Sequence, residues 1–529
     1  MSPNNDDGSY DIKSAHRRTE SVQQAGVKNI LISVCVAVTT FYSLALVANF
    51  FGSSLGSDAY FYLASLANLT SGVFGSLLGV VFLPAFVKLL NQLDKSDAYR
   101  FLSSIFSWCL VITLLASIPV FIWSEQFFLY ASQFGSSKIV EMSFVLEYFA
   151  PIFFLGVLSE LFRIVALSIG KFTAAAFSAV FPPFFLIVFL FSFGHTLHEE
   201  ALAASLLLAR VAALIMLVIV VWKEGVRVRF NLYNNIHTFR FLKTSTPYWS
   251  ANIVTVAANF YFDYQASSFG IGVVTALAYA NRIFMLPITI FIAPLVEIAR
   301  TKFAEMHAAG DYQAFNAYYN NLLLLAIYFT IPVAALYFVF SHEIISALFQ
   351  RGAFQTESVD IAASILSIYT WSIPFASVFL ANGRACESYQ RLLWPSIFGT
   401  LGNLLMIAAI YYLTKKFDYL GIPMAKVVID IFYFLPFGFV AFQLFGGLPQ
   451  YKKIITSFFA ALASAILAAI FCYNAFLNGR SGSPTSIVSL IIHISAFLFL
   501  YCAALLIIAS HVRSELKNLW YHWGPTSRR

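Results

Sequence analysis

Fourteen apolar stretches of membrane-spanning length run almost end to end through this chain of 529 residues, and no other feature restricts its fold so strongly. They lie at roughly 28–51, 60–88, 101–123, 144–169, 172–194, 200–222, 247–269, 273–299, 320–340, 357–382, 392–413, 419–445, 454–476 and 485–510, each near the ~20 residues that carry a helix across a bilayer. With 60% apolar and 11% charged residues, the chain cannot clothe a soluble surface. Runs this long do not resemble the short alternating segments of a membrane barrel, so the expected fold is an all-α polytopic membrane protein.

The cationic residues orient that bundle. Of 32 Lys and Arg, 23 fall in segments that an inside N-terminus would place in the cytoplasm and 5 on the opposite side. Retained loops collect such residues, so both termini are expected in the cytoplasm, which requires an even number of spans. Topology and anionic lipid headgroups account for the net charge of +7, and no nucleic acid is implied. Residues 1–27 read as a disordered cytoplasmic tail, 28–222 as a first lobe of six spans, 223–246 as a cationic cytoplasmic linker, 247–445 as a second lobe of six, and 446–529 as two further spans with a cytoplasmic tail. A weak internal echo supports two halves: a small polar segment near Gly52–Asp58 or Ser267–Gly270, then an apolar span and a cationic turn. The five cysteines fall within or at the ends of apolar spans and are expected to be buried free thiols. There is no phosphate-binding glycine loop, no nucleophile-base constellation and no soluble insert to hold a catalytic domain, so a secondary transporter without a cofactor is expected rather than an enzyme or an ATP-driven pump.

Four cations lie inside spans: Arg163, Arg210, Arg282 and Lys426. An intramembrane charge usually lines a pathway or a binding site. Arg282 would offer a permanently charged fork to phosphate oxygens, with a salt bridge to Asp263 on the preceding span as its plainer role. Glu160 and Arg163 are three apart and able to neutralise one another on one helix face. Arg210 has no close sequence partner and must find an acid or water. Asp58 opens the second span after a Gly/Ser-rich turn, as a helix cap or as a gate at the outer rim of the first lobe. Lys426 stands four residues before Asp430, the spacing of a pair within one helix.

The run Leu348-Phe349-Gln350-Arg351-Gly352-Ala353-Phe354-Gln355-Thr356-Glu357-Ser358, with Ala278-Tyr279-Ala280-Asn281-Arg282-Ile283-Phe284-Met285-Leu286-Pro287, resembles the MurJ (MviN) family of lipid II flippases. Phe51–Phe61 and Gly170–Ala174 echo the same pattern, and the resemblance runs from about residue 30 to 445. It implies two six-helix lobes in a V around a central cavity, two C-terminal helices forming a lipid-facing groove, and a place in the bacterial cytoplasmic (inner) membrane. It also implies an activity: moving an undecaprenyl-diphosphate-linked oligosaccharide, lipid II or a related envelope or exopolysaccharide precursor, to the outer leaflet by alternating access. Carried onto this chain, the substrate side falls to Arg282, Asp58, Ser65 and Arg210. A C-lobe ion or ion-substitute site falls to Asp263, Asn403 and Lys426, with no metal assigned. The chain departs from the family at Ala37, Ser43 and Ser65, where relatives typically carry arginines, so it reads as a divergent member. Lys426 stands where a small hydroxyl-bearing ligand is expected. Its ammonium would replace the ion by pairing with Asp263, or pair locally with Asp430. The implied partners are the polyprenyl-diphosphate-linked glycan, membrane lipids, and glycosyltransferases or polymerases. Coupling to membrane potential, proton or sodium stays open, and a non-transporting scaffold or a drug/cation antiporter remains the alternative.

Overall fold

The computed structural model describes residues 22–92, 95–232, 236–389, 391, 393–445, 448–478 and 487–508. The described residues fold as helices joined by short turns, as the apolar runs require once every backbone polar group must be satisfied within its own segment. Over their described residues, the expected segments coincide with helical structure. By length and hydropathy, however, nine described helices qualify to cross a membrane, or ten if Thr356–Tyr369 and Ser372–Ser388, bent by 48°, form one span. Part of the shortfall is a merger. Leu393–Phe445 is helical almost without a break over 53 residues, far longer than a bilayer at ~1.5 Å per residue. The chain in fact reverses there, at Asp418 with φ 56° and at Gly421, where a Cβ would lie 2.4 Å from the backbone of Leu413. The first helix, Val22–Phe51, begins ahead of the expected start at 28. The rest of the expected N-terminal tail, and the C-terminal tail beyond 508, lie outside the described residues.

Three spans contain a π-helical turn: Leu78–Phe82, Ile288–Ile292 and Tyr433–Phe437. The first two each precede a proline, Pro84 and Pro294. A proline cannot donate to the carbonyl four residues back, here Val80 or Ile290, and a widened turn at that carbonyl is how the helix absorbs the missing bond. This pairing of π turn and proline recurs in the second span of each half, which strengthens the internal echo.

By packing, the described chain falls into two units. One comprises residues up to Leu46 with Leu63–Tyr130 and Ser136–Asn252; the other comprises Val47–Tyr62, Ala131–Gly135 and Ile253 onward. The first is built on an aromatic stack in which Phe82 lies against Phe86 and Phe101 at 5.3 and 5.4 Å, with Phe241 edge-on to Phe82 and Phe101. Beyond helix Glu200–Lys223 its chain runs extended along helix Lys95–Ile122, where Ser103 and Ser107 accept from the amides of Arg229 and Asn231. The second holds a core around Ala258, Ile410, Ala425 and Ile429. Its helix Leu448–Asn478 flanks an apolar cleft of about 680 Å³ lined by Phe338, Trp371, Pro374, Phe458 and Ile466 among others. Of the cysteines, Cys109, Cys386 and Cys472 are buried, but Cys35 and Cys502, on the first and last described helices, are exposed.

Candidate functional site

Asp58 is buried at 1% exposure. It does stand in the first turn of Leu55–Leu77, yet its carboxylate caps a different helix. Gly272 donates its amide to Oδ2 at 2.6 Å, and Thr275 donates both amide and hydroxyl to Oδ1 at 2.8 and 2.6 Å. Helix Val273–Pro287 begins at Gly272, which has φ 91° and no capping side chain of its own. A carboxylate 214 positions away supplies the missing cap and meets the positive end of the helix.

The chain around Asp58 is seated with the same closeness. Ala353 donates its amide to the Asn49 carbonyl at 3.0 Å, and the hydroxyls of Ser53 and Ser358 are hydrogen-bonded. A Cβ on Gly52 would lie 2.3 Å from the Ala353 carbonyl oxygen, and one on Gly352 2.1 Å from that of Asn49, so both glycines are required by backbone-to-backbone contact. Ser267 completes the cluster by accepting from the Gln133 amide at 2.8 Å. The Arg351-Gly352-Ala353-Phe354 run is therefore a receptor for the tip of the first helical hairpin. The segments that meet here are all ones that the charge bias assigns to a single side of the membrane.

Arg282 lies half-buried on helix Val273–Pro287, on the face that also carries exposed Asn281 and Thr289. Among the described residues it makes no hydrogen bond and no ion pair. The expected alternative, a salt bridge to Asp263, is not formed. A guanidinium in a span needs water or an anion if protein does not satisfy it, because hydrocarbon will not. The face bearing Arg282 is thus the side of this unit suited to an aqueous space.

In the first unit, Arg210 donates to Asn68 Oδ1 at 2.8 Å across to the second span. The sequence reading overlooked Asn68; a polar residue three after Ser65, and four before Gly72, on an otherwise small-residue face was the available signal. Arg163 makes a two-pronged bond to Glu160, with Nε at 2.8 Å, the local neutralisation that their spacing suggests. That carboxylate lies against Gly75, where a Cβ would come within 2.3 Å of Glu160 Oε1. Ser65 is half-buried on the same span.

The residues expected at a C-lobe ion site are distributed over neighbouring spans. Asn403 donates to Thr255 Oγ1 at 2.9 Å. Asp263, eight residues beyond Thr255, is half-buried within electrostatic reach of Tyr369, which also feels Asp430. Lys426 takes the local option: its ammonium is 2.7 Å from both carboxylate oxygens of Asp430, and that pair is its ionic contact. The i,i+4 geometry costs no backbone rearrangement, which is why it prevails over a partner on another helix. Asp430 is 2% exposed at its side chain. Lys426→Met would strand this carboxylate, at a cost of about 3–5 kcal/mol for a buried charge robbed of its partner. We expect a lowered unfolding temperature in detergent, restored by Lys426→Met with Asp430→Leu; equal melting of single and double variants would refute the account. A further ionic cluster, unforeseen across helices, joins Ala293–Ala308 to Ser372–Ser388: Arg384 meets Glu297 and Glu387, both at 2.7 Å.

Helices of membrane-spanning length that carry buried and half-buried charges define a multi-pass membrane protein. The fold is shared with solved structures: a lipid II flippase MurJ in an inward closed conformation superposes with a TM-score of 0.76 at 19% identity, covering 91% of this chain and 99% of that one. An inward-facing MATE-family multidrug transporter gives 0.66 at 14% identity over 81% and 98%. The family described as "Lipid II flippase MurJ" matches residues 47–493, and this chain belongs to it. Similar relatives include probable lipid II flippases MurJ from Rickettsia prowazekii, 23% identical over 69% of this chain and 75% of that protein, and from Aquifex aeolicus, 25% identical over 73% and 76%. The protein is therefore a multi-pass membrane transporter of that family rather than an enzyme.

Proposed function

We propose that this protein flips lipid II, or a related undecaprenyl-diphosphate-linked oligosaccharide, from the cytoplasmic to the outer leaflet by alternating access. Both termini then face the cytoplasm, in the bacterial inner membrane. The observation that carries the reading is Arg282, a charge left open on the face of a spanning helix in a chain of this family. A diphosphate and its sugars cannot cross ~30 Å of hydrocarbon unaided, whereas a prenyl tail can remain in it. The guanidinium suits the diphosphate, and the apolar cleft beside helix Leu448–Asn478 suits the tail. The seat around Asp58 would close the outer side and release when that side opens. Drug or cation antiport has only the shared fold in its favour. The test is a cell in which this chain is the sole flippase, with labelled lipid II exposed to an impermeant hydrolase. Depletion of the chain should protect the label from cleavage; unchanged cleavage would overturn the proposal. Adding or removing sodium, and collapsing the proton gradient, would assign the coupling ion.

A further inference from the structure

A second site lies in the first unit, at the ends of two spans, well away in sequence from Asp58 and Arg282. Lys171 stands in the turn after helix Phe149–Ser168, and Lys223 in the last turn of helix Glu200–Lys223. Together with Thr173, Glu224, Phe177, Met216 and Val220 they line a pocket of about 420 Å³. Its polar end is built: Lys171 is held 2.8 Å from the Glu224 carboxylate, with both side chains about a quarter exposed. Lys223 is exposed and, among the described residues, has no ionic partner. Two ammonium groups and one carboxylate leave a net single positive charge. Beside it, Trp222 is 63% exposed, and an exposed tryptophan at the end of a span marks the interfacial depth of the headgroups. One and two helical turns before Lys223 the wall becomes apolar at Val220 and Met216, Phe177 lines it as well, and Phe177 and Ile219 are each 44% exposed toward the surroundings.

We propose that this pocket binds an anionic phospholipid, its phosphate diester between Lys171 and Lys223 and one acyl chain along Phe177 and Met216. The charges match: a diester carries one negative charge, and the pocket one positive. A zwitterionic headgroup brings an ammonium of its own that meets the two lysines unfavourably. Free phosphate satisfies the polar end but leaves the apolar wall empty, so the lipid is the better occupant. Glu224 fixes Lys171 and keeps the pocket from over-attracting small anions.

The full-length protein, purified in detergent, is mixed with phosphatidylglycerol or phosphatidylethanolamine of identical chains, and retained lipid is counted by native mass spectrometry. Phosphatidylglycerol should be retained preferentially. Lys223→Gln should lower that retention roughly fivefold, the worth of one lysine near a charged headgroup, Lys223→Glu should remove the preference, and Lys223→Arg should preserve it. Lys223 is exposed, so these variants should melt like the wild type, and Lys171→Gln gives the same readout from the opposite wall. Equal retention of the two lipids, an unchanged Lys223→Gln variant, or displacement by millimolar inorganic phosphate would each overturn the proposal, the last by showing a small-anion site.

Discussion

Arg282→Gln should reduce glycan-lipid export at least 100-fold while leaving the protein as abundant and as thermally stable as the wild type. The two halves of this expectation come from one observation: the guanidinium has no partner within the described protein. Removing it breaks no intramolecular bond, and it relieves a span of an uncompensated charge, so melting in detergent should hold or rise. A diphosphate gripped by the fork would lose two charge-assisted bonds of about 1.5–3 kcal/mol each, and 3 kcal/mol already corresponds to roughly 100-fold. Arg282→Lys keeps the charge but not the fork, and an intermediate loss near tenfold is expected from one surviving contact. Export by the Gln variant at wild-type rate, read by cleavage of labelled lipid at the outer face, would remove Arg282 from substrate contact. Loss of the protein from the membrane would instead make the residue structural.

The helical spans were legible because hydrocarbon leaves a chain little choice: an apolar run of ~20 residues must be a helix. The family was legible too, since Arg351–Phe354 and Tyr279–Pro287 carry its pattern. What that first run does was not. Gly352 and Ala353 are read by the backbone of Asn49, and a main-chain contact between segments some 300 positions apart leaves no pattern in side-chain periodicity. Local pairs were readable from spacing alone, as at Glu160–Arg163 and Lys426–Asp430, because one helical turn fixes their geometry. Pairs between helices, such as Arg210–Asn68 and Arg384–Glu297, depend on helix rotation and depth, which apolar composition does not specify. That Pro84 and Pro294 are each accommodated by a π turn just ahead of them was not legible either, since composition does not say how a helix absorbs a missing bond.

Asp58 is where the residue was recognised and its partner was not, and this sets the second large effect. A cap on its own helix would accept Asn nearly as well as Asp. The observed carboxylate instead receives donors on both oxygens, from Gly272 on one side and Thr275 on the other. Asn can satisfy one side only; its Nδ2 would then face a second N–H, donor against donor, and the charge at the helix start is lost. Two weakened charge-assisted bonds make the expected cost about 3 kcal/mol, roughly a 100-fold shift away from the seated hairpin. Because Ser53 and Ser358 touch through their hydroxyls, a Ser53→Cys and Ser358→Cys pair should cross-link readily in an otherwise wild-type chain and report seating directly. With Asp58→Asn added, cross-linking should fall sharply and export should slow, since an outer closure that does not hold cannot alternate. Asp58→Glu keeps the charge but is one methylene too long for a site at 1% exposure, and should also fail. Undiminished cross-linking with Asn would show the carboxylate to be dispensable to the seat; diminished cross-linking with normal export would separate the seat from transport altogether.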